Sequence, residues 1–296
     1  MRRVIFWGFI IYALTGCSFE KESERYEPTG SITNTKALII GVHPYLNSKK
    51  MYCSYRPILD YLEDKIEGIS FRLETSSSYS EYEKKLYRGD FHFSLPNPFE
   101  TINSLEKDYR VIAKMKPDSV FRGIFVARKD THLKEVIQLQ GKSISFPAPT
   151  ALAATMMPLY YLHQKGVDVS KDIKKKYVGS QYSSILNAYN SNTIAGATWT
   201  PPWESWVKEN PQKAKEMEVV WETKPLINNG FVVRSDVDEN ISKSVARELV
   251  ALSSTPKGKM LLEVAGFEGF EYASDRDYSV VKIFIQKYDK AIGLPK

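Results

Sequence analysis

From residue 37 onward, short apolar runs alternate with segments of helical period. Residues 37–42 are an apolar run ending in His43-Pro44-Tyr45, the pattern of a buried strand followed by a loop. In 56–66, Ile58, Leu59, Leu62 and Ile66 fall on one helical face, and Pro57 sits where a first helical turn tolerates it. A strand is expected at 69–75, a helix at 79–88 closed by Gly89-Asp90, and a strand at 91–95 followed by Pro96-Asn97-Pro98. The same rhythm predicts strands at 120–128 and 142–146, the second ending in Pro147-Ala148-Pro149. A long apolar helix should fill 150–164. A strand at 177–178, a helix at 183–189 and a strand at 194–198 follow, the last running into Trp199-Thr200-Pro201-Pro202-Trp203. Two further strands, 219–223 and 229–234, precede three helices at 239–253, 257–265 and 278–291.

Strands alternating with helices imply parallel sheets with crossover connections, hence an α/β protein. Two such blocks are expected, at 37–118 and 135–222. Each is bordered by a strand with a similar charged end: Phe125-Val126-Ala127-Arg128-Lys129-Asp130 and Val232-Val233-Arg234-Ser235-Asp236. Two similarly placed crossing strands would join two lobes, with 37–125 and 230–296 forming lobe 1 and 126–229 forming lobe 2. Ligands in open α/β sheets bind beyond the carboxyl ends of strands, so those ends would face one cleft that closes by a hinge.

The N-terminus follows a different pattern. Met1-Arg2-Arg3 precedes an uninterrupted apolar run at 4–14, too short for the roughly 20 residues of a membrane span. It matches the apolar part of a secretory signal. Leu14-Thr15-Gly16-Cys17 resembles a lipobox, so 1–16 is expected to be a signal peptide and Cys17 the lipidated first residue of the mature chain, anchored by its acyl chains. Residues 17–36 are polar and charged, as a flexible tether would be.

Composition narrows the rest. The net charge of +6 includes Arg2 and Arg3 of the signal, which leaves a mildly basic body. Lys174-Lys175-Lys176 is the one tight basic run and reads as a solvated edge, so no nucleic-acid partner is expected. Cys53 has no second thiol to pair with. His43, His92, His132 and His163 lack metal-ligand spacing, so neither a metal nor another cofactor is expected. No G-x-S-x-G, H-E-x-x-H or Walker motif is present, which argues against an enzyme.

The order of elements, the paired crossing strands, and the segments Gly141-Lys142-Ser143-Ile144-Ser145-Phe146-Pro147-Ala148-Pro149-Thr150 and Tyr177-Val178-Gly179-Ser180-Gln181 resemble the phosphate/phosphite/phosphonate-binding proteins of ABC importers. The resemblance spans about 40–292 and implies a two-lobed type II periplasmic-binding-protein fold with two crossing strands at the hinge. It implies a lipid-anchored, monomeric solute binder that delivers a small oxyanion to an ABC permease. In that family the loop at Pro147 to Thr150 leads into a helix whose hydroxyls and backbone N–H groups hold the oxyanion. Here Thr150 is a candidate cap, but Ala151-Leu152-Ala153-Ala154 replaces the usual Ser and Thr. Where the family commonly has His and then an acid, this chain has Gln181-Tyr182.

The expected ligand-binding residues are therefore Tyr45, Asn97, Pro149, Thr150, Ala151, Gln181, Tyr182 and Trp199. Trp199 would form a planar wall, with Trp203 and Trp206 packing between elements. His43 is expected to be structural, and Asn228 and Asn229 to line the hinge. The alternatives left open are a sensor signalling to a membrane receptor, a binder of a flatter aromatic or amine metabolite, and an enzyme using Cys53 or His43.

Overall fold

A computed structural model describes residues 36–295. The expected signal peptide, Cys17 and the tether up to residue 35 lie outside them; Lys36, assigned to the tether, already opens the first strand. In chain order the first block is β1 (Lys36–Val42), α1 (Ser48–Lys65), β2 (Ile69–Glu74), α2 (Tyr79–Arg88), β3 (Phe93–Leu95), α3 (Pro98–Leu105) and β4 (Tyr109–Lys116). The second is β5 (Gly123–Arg128), β6 (Ser143–Phe146), α4 (Met157–Gln164), β7 (Lys174–Tyr177), α5 (Gln181–Tyr189), β8 (Ala195–Trp199), α6 (Thr200–Glu209), α7 (Pro211–Ala214) and β9 (Met217–Glu222). The chain then returns through β10 (Gly230–Arg234), α8 (Glu239–Ala251), α9 (Pro256–Ala265), β11 (Gly269–Glu271) and α10 (Ser279–Ile292).

One sheet runs β11-β4-β10-β3-β1-β2 and the other β7-β6-β8-β5-β9. The expected parallel core is present: β1 pairs in parallel with β2 and β3, and β6 with β7 and β8. The sheets are nonetheless mixed. β10 lies antiparallel between β3 and β4, and β5 lies antiparallel between β8 and β9. These are the two similar strands of the sequence, and they occupy equivalent places. Each carries a register shift between Phe and Val (Phe125/Val126 and Phe231/Val232), where a bulge bends the strand. Each ends in an arginine paired with an aspartate two residues on, Arg128–Asp130 at 2.7 Å and Arg234–Asp236 at 2.6 Å. The shared Arg-x-Asp ending is thus a strand-terminating ion pair.

The lobe division expected at 125/126 falls inside β5, whose whole length pairs within the second sheet. The chain passes between the sheets at 117–122 and 223–229, and these segments are bonded to each other. Asn228 donates from its side chain to the Pro117 carbonyl (3.0 Å), Leu226 N–H donates to the Phe121 carbonyl (3.0 Å), and the Tyr278 hydroxyl donates to the Asn228 carbonyl (2.6 Å).

Where caps are local, sequence and structure agree. The α2 range matches expectation because Ser78 accepts from Glu81 N–H at one end and Gly89 takes φ 81° at the other. Elsewhere the boundaries move. α1 begins at Ser48, capped by Asn47, and not at Arg56; Pro57 lies inside it, so the first-turn placement was wrong. The buried residues Met51, Ser54, Tyr55, Ile58, Leu59 and Leu62 continue one face across the proline, and that burial outweighs its missing N–H. The segment α3–β4 went unread although Asn97-Pro98-Phe99-Glu100 is a capping box with proline in the first turn. Trp199-Thr200-Pro201-Pro202 is the start of a helix rather than a rigid loop, both prolines sitting in the first turn of α6. Trp206 is buried and stacks on Trp203 (5.4 Å, 13°), as packing residues do. The triple lysine is β7, an exposed sheet edge.

Candidate functional site

Four strand ends, two from each sheet, meet at one small cavity. β1 delivers His43, β3 delivers Asn97, β6 leads to Ala151–Ala154, and β8 ends at Trp199. Tyr79 at the start of α2, Gln181 at the start of α5, and Phe121 from the first crossing complete the wall. The free volume is about 10 Å³, the room of roughly one water. A wider groove of about 480 Å³ opens outside Tyr45, between α1, α6 and α9. Lys50 of α1 is ion-paired with Glu209 of α6 across its mouth.

The helix expected from residue 150 starts differently. Residues Leu152–Met156 form a π-helical turn that continues into α4, with Ala151 in the capping position and no side-chain cap. Thr150 is therefore not the cap. Thr155 and Met156 N–H both donate to the Ala151 carbonyl (2.7 and 3.3 Å). The N–H groups of Leu152, Ala153 and Ala154 precede any helical acceptor and find no other partner among the described hydrogen bonds. Together they form a positive helix end at the cavity wall. The turn can press against β5 because Gly123 has no side chain: a Cβ there would lie 2.3 Å from the Ala153 carbonyl oxygen and 2.7 Å from the Pro158 ring.

The remaining polar groups are tied across the two sheets. Asn97 caps α3 with its Oδ1 and donates from Nδ2 to the Thr150 carbonyl (3.3 Å). Gln181 donates to the Tyr79 hydroxyl (3.0 Å) and accepts from Thr198 Oγ1 (2.8 Å). The Trp199 ring is packed edgewise by Tyr45 (5.7 Å) and tilted against Phe121 (5.4 Å), and only 2% of it is exposed. The His43 ring contacts the Leu95 carbonyl through Nδ1 (2.9 Å), and burial pushes its pKa down to about 4.

Behind Asn97 and Tyr79 lie two carboxyl groups. Glu100 is fully buried, accepts from Asn97 N–H through Oε2 (2.8 Å) and has no partner for Oε1. Burial raises its pKa well above the ordinary carboxyl value, and the nearby Glu83 adds to the shift. Glu83 is raised as well, by burial, against a hydrogen bond with Thr150. A carboxyl whose folded pKa exceeds its unfolded one binds its proton more tightly in the native state, so its stabilising contribution is full below about 4.5 and is lost as pH rises through the folded value. Glu100→Gln keeps the capping acceptor and removes the ionisation. Denaturant titrations from acid to neutral pH should show the wild-type protein losing stability relative to Glu100→Gln as pH rises. Parallel profiles would show that Glu100 does not carry this pH dependence.

Of the residues expected from sequence, Asn97, Ala151, Gln181 and Trp199 line the cavity. Tyr45 packs on Trp199 from the groove side, and Thr150 contributes its carbonyl to Asn97. Pro149 is half-buried on the turn and is not among the lining residues. Tyr182 is 42% exposed and faces an outer groove with Asn47 and Ser180. Tyr79, Phe121 and the 152–154 turn were missed, and His43, expected to be structural, is part of the wall. Its position on the same strand-end loop as Tyr45 was the available signal. Among the described residues no group of side chains could hold a metal ion, and no helix is long and apolar enough to cross a membrane.

A family model described as the periplasmic substrate-binding protein of phosphonate ABC transporters matches residues 40–278. A probable ABC transporter phosphite-binding protein from Prochlorococcus marinus (strain MIT 9301) is 25% identical over 193 residues, covering 61% of this chain and 65% of the relative, just under two thirds of its length. The phosphonates-binding periplasmic protein of Escherichia coli (strain K12) is 20% identical over 276 residues, 90% of this chain and 81% of that protein. The structure of the Prochlorococcus marinus (MIT 9301) protein PhnD1 in complex with methylphosphonate superposes with a TM-score of 0.79 at 20% identity. It covers 86% of this chain and 99% of the other. The two-sheet architecture is therefore the type II periplasmic-binding-protein fold expected from the sequence.

Proposed function

This chain belongs to the family of periplasmic substrate-binding proteins of phosphonate ABC transporters, and on that premise we propose that it captures a small phosphonate- or phosphite-like oxyanion in the cavity between its sheets. The observation that carries the reading is the set of unpaired N–H groups at Leu152, Ala153 and Ala154, a helix end suited to anionic oxygen. The hydroxyls thinned out of this turn are replaced in part by Asn97, Gln181 and the Tyr79 hydroxyl. Oxyanion entry would exchange cross-sheet bonds such as Asn97 to Thr150 for bonds to ligand, so occupancy would bias the hinge at 117–122 and 223–229. The flatter aromatic ligand loses its support, because Trp199 is packed by Tyr45 and Phe121 and offers no free planar wall. The role is that of a non-catalytic binder acting as a monomer and handing its ligand to a membrane permease.

Calorimetry with methylphosphonate, phosphite and phosphate tests the reading. Binding of at least one is expected, and at a hundredfold excess over its Kd that ligand should stabilise the protein by about 2.7 kcal/mol. Absence of heat and of any melting shift with all three would sink the assignment. We further propose that Cys17 carries the lipid that holds the body at the cell envelope; release of a Cys17→Ser chain from the membrane fraction is the expected result, and its retention would count against the anchor.

A further inference from the structure

The cavity contains one side-chain nitrogen that can only accept. His43 Nδ1 lies 2.9 Å from the Leu95 carbonyl oxygen, which has no proton to give, so Nδ1 carries the ring proton. Nε2 then presents a lone pair, and no hydrogen bond among the described residues uses it. The ring is 2% exposed and belongs to the cavity wall. Its neighbours are the neutral rings of Tyr45, Tyr79 and Tyr82 at 5.1, 6.1 and 6.4 Å. With burial the main influence on it, the ring stays neutral at ordinary pH. The other free groups are donors. The N–H groups of Leu152, Ala153 and Ala154 are unpaired, and the Tyr79 hydroxyl, which accepts from Gln181, keeps its own proton to give. Two buried carboxyls, Glu100 and Glu83, act on Tyr79 of this wall and disfavour a fully ionised neighbour. Several donors and one obligate acceptor describe a ligand with several anionic oxygens and one remaining hydroxyl.

We propose that His43 Nε2 selects tetrahedral oxyanions that retain at least one P–OH proton, namely the monoanions of alkylphosphonates, phosphite or phosphate, over sulfonates and sulfate of the same shape. This rests on the oxyanion reading of the site. A hydrogen phosphonate donates its P–OH to Nε2 while its other oxygens accept from the backbone. A sulfonate is fully ionised near neutrality and has only acceptors, so one of its oxygens would face the lone pair and leave a buried acceptor unpaired.

The test compares methylphosphonate with methanesulfonate by calorimetry at one mildly acidic pH, so that Glu83 and Glu100 contribute equally to both. Wild-type protein should bind methylphosphonate at least about tenfold more tightly, the factor expected for one buried unsatisfied polar group. His43→Gln, which keeps an acceptor and an N–H, should preserve the preference, and His43→Val should erase most of it. Equal wild-type affinity for the two probes would overturn the selection while leaving the oxyanion site standing. An undiminished preference in His43→Val, with folding checked by its melting curve, would remove His43 from the role. No binding of methylphosphonate, phosphite or phosphate would overturn both the selection and the oxyanion reading beneath it.

Discussion

Truncating Trp199 to alanine is expected to lower the unfolding free energy by about 3–5 kcal/mol, the range for a large buried aromatic. Its ring is almost fully buried, contacts Tyr45 from the loop after β1 and Phe121 from the crossing segment, and the residue stands in the capping position of α6. The ring thus joins the loop after β1, the crossing segment and α6, so the void could not close without moving one of them. Trp199→Phe retains part of the aromatic contact and should lose much less. Chemical denaturation of the two variants checks this. A loss under about 1 kcal/mol for the alanine protein would mean that the ring is not packed as described.

Gly123→Ala should combine a stability loss with a loss of ligand binding. The added methyl would sit 2.3 Å from the Ala153 carbonyl oxygen and 2.7 Å from the Pro158 ring, and both distances are far inside contact. Overpacking of this kind costs about 1–3 kcal/mol, sometimes more. Relief requires the π turn to lift from β5, which would misdirect the N–H groups of Leu152, Ala153 and Ala154. Gly258→Ala is the matched control, since its Cβ would meet the Leu252 carbonyl oxygen at 2.1 Å in α9, away from the cavity. Both variants should melt lower, but only Gly123→Ala should lose methylphosphonate affinity. Equal affinities in the two would detach the backbone donors from the site.

Much of the site's neighbourhood was legible because strand ends announce themselves. Apolar runs that stop at His43-Pro44, Pro96-Asn97, Pro147-Ala148-Pro149 and Trp199-Thr200 marked the four loops that do meet. Which residues of those loops face the cavity was less legible. Asn97, Ala151, Gln181 and Trp199 face the cavity, whereas Pro149 and Tyr182, each beside or near a lining position, do not. Successive residues in a tight turn or a first helical turn point in widely different directions, and an error of one position exchanges the interior for solvent. The Gln181-Tyr182 pair shows this directly, one side chain 2% exposed and the next 42%.

Tyr79 was out of reach for another reason. It opens a helix whose limits were read correctly, yet its partner Gln181 is 102 residues away in the other block. The π turn was equally invisible, because Ala151-Leu152-Ala153-Ala154 is good α-helical sequence by propensity. Its widening belongs to the contact with β5.

The sequence by itself determined the alternation of strands and helices, the similarity of the two crossing strands and the loops at the strand ends. These depend on periodicity, caps and turn residues, all acting within a few positions of the chain. Tertiary structure alone decided that β5 and β10 enter their sheets antiparallel, that Thr150 is no cap, and that His43 lines the same cavity as residues 152–154. Those outcomes depend on which surfaces pack together across tens to more than a hundred residues of chain. A local pattern supplies the faces, and only their packing fixes which atoms meet.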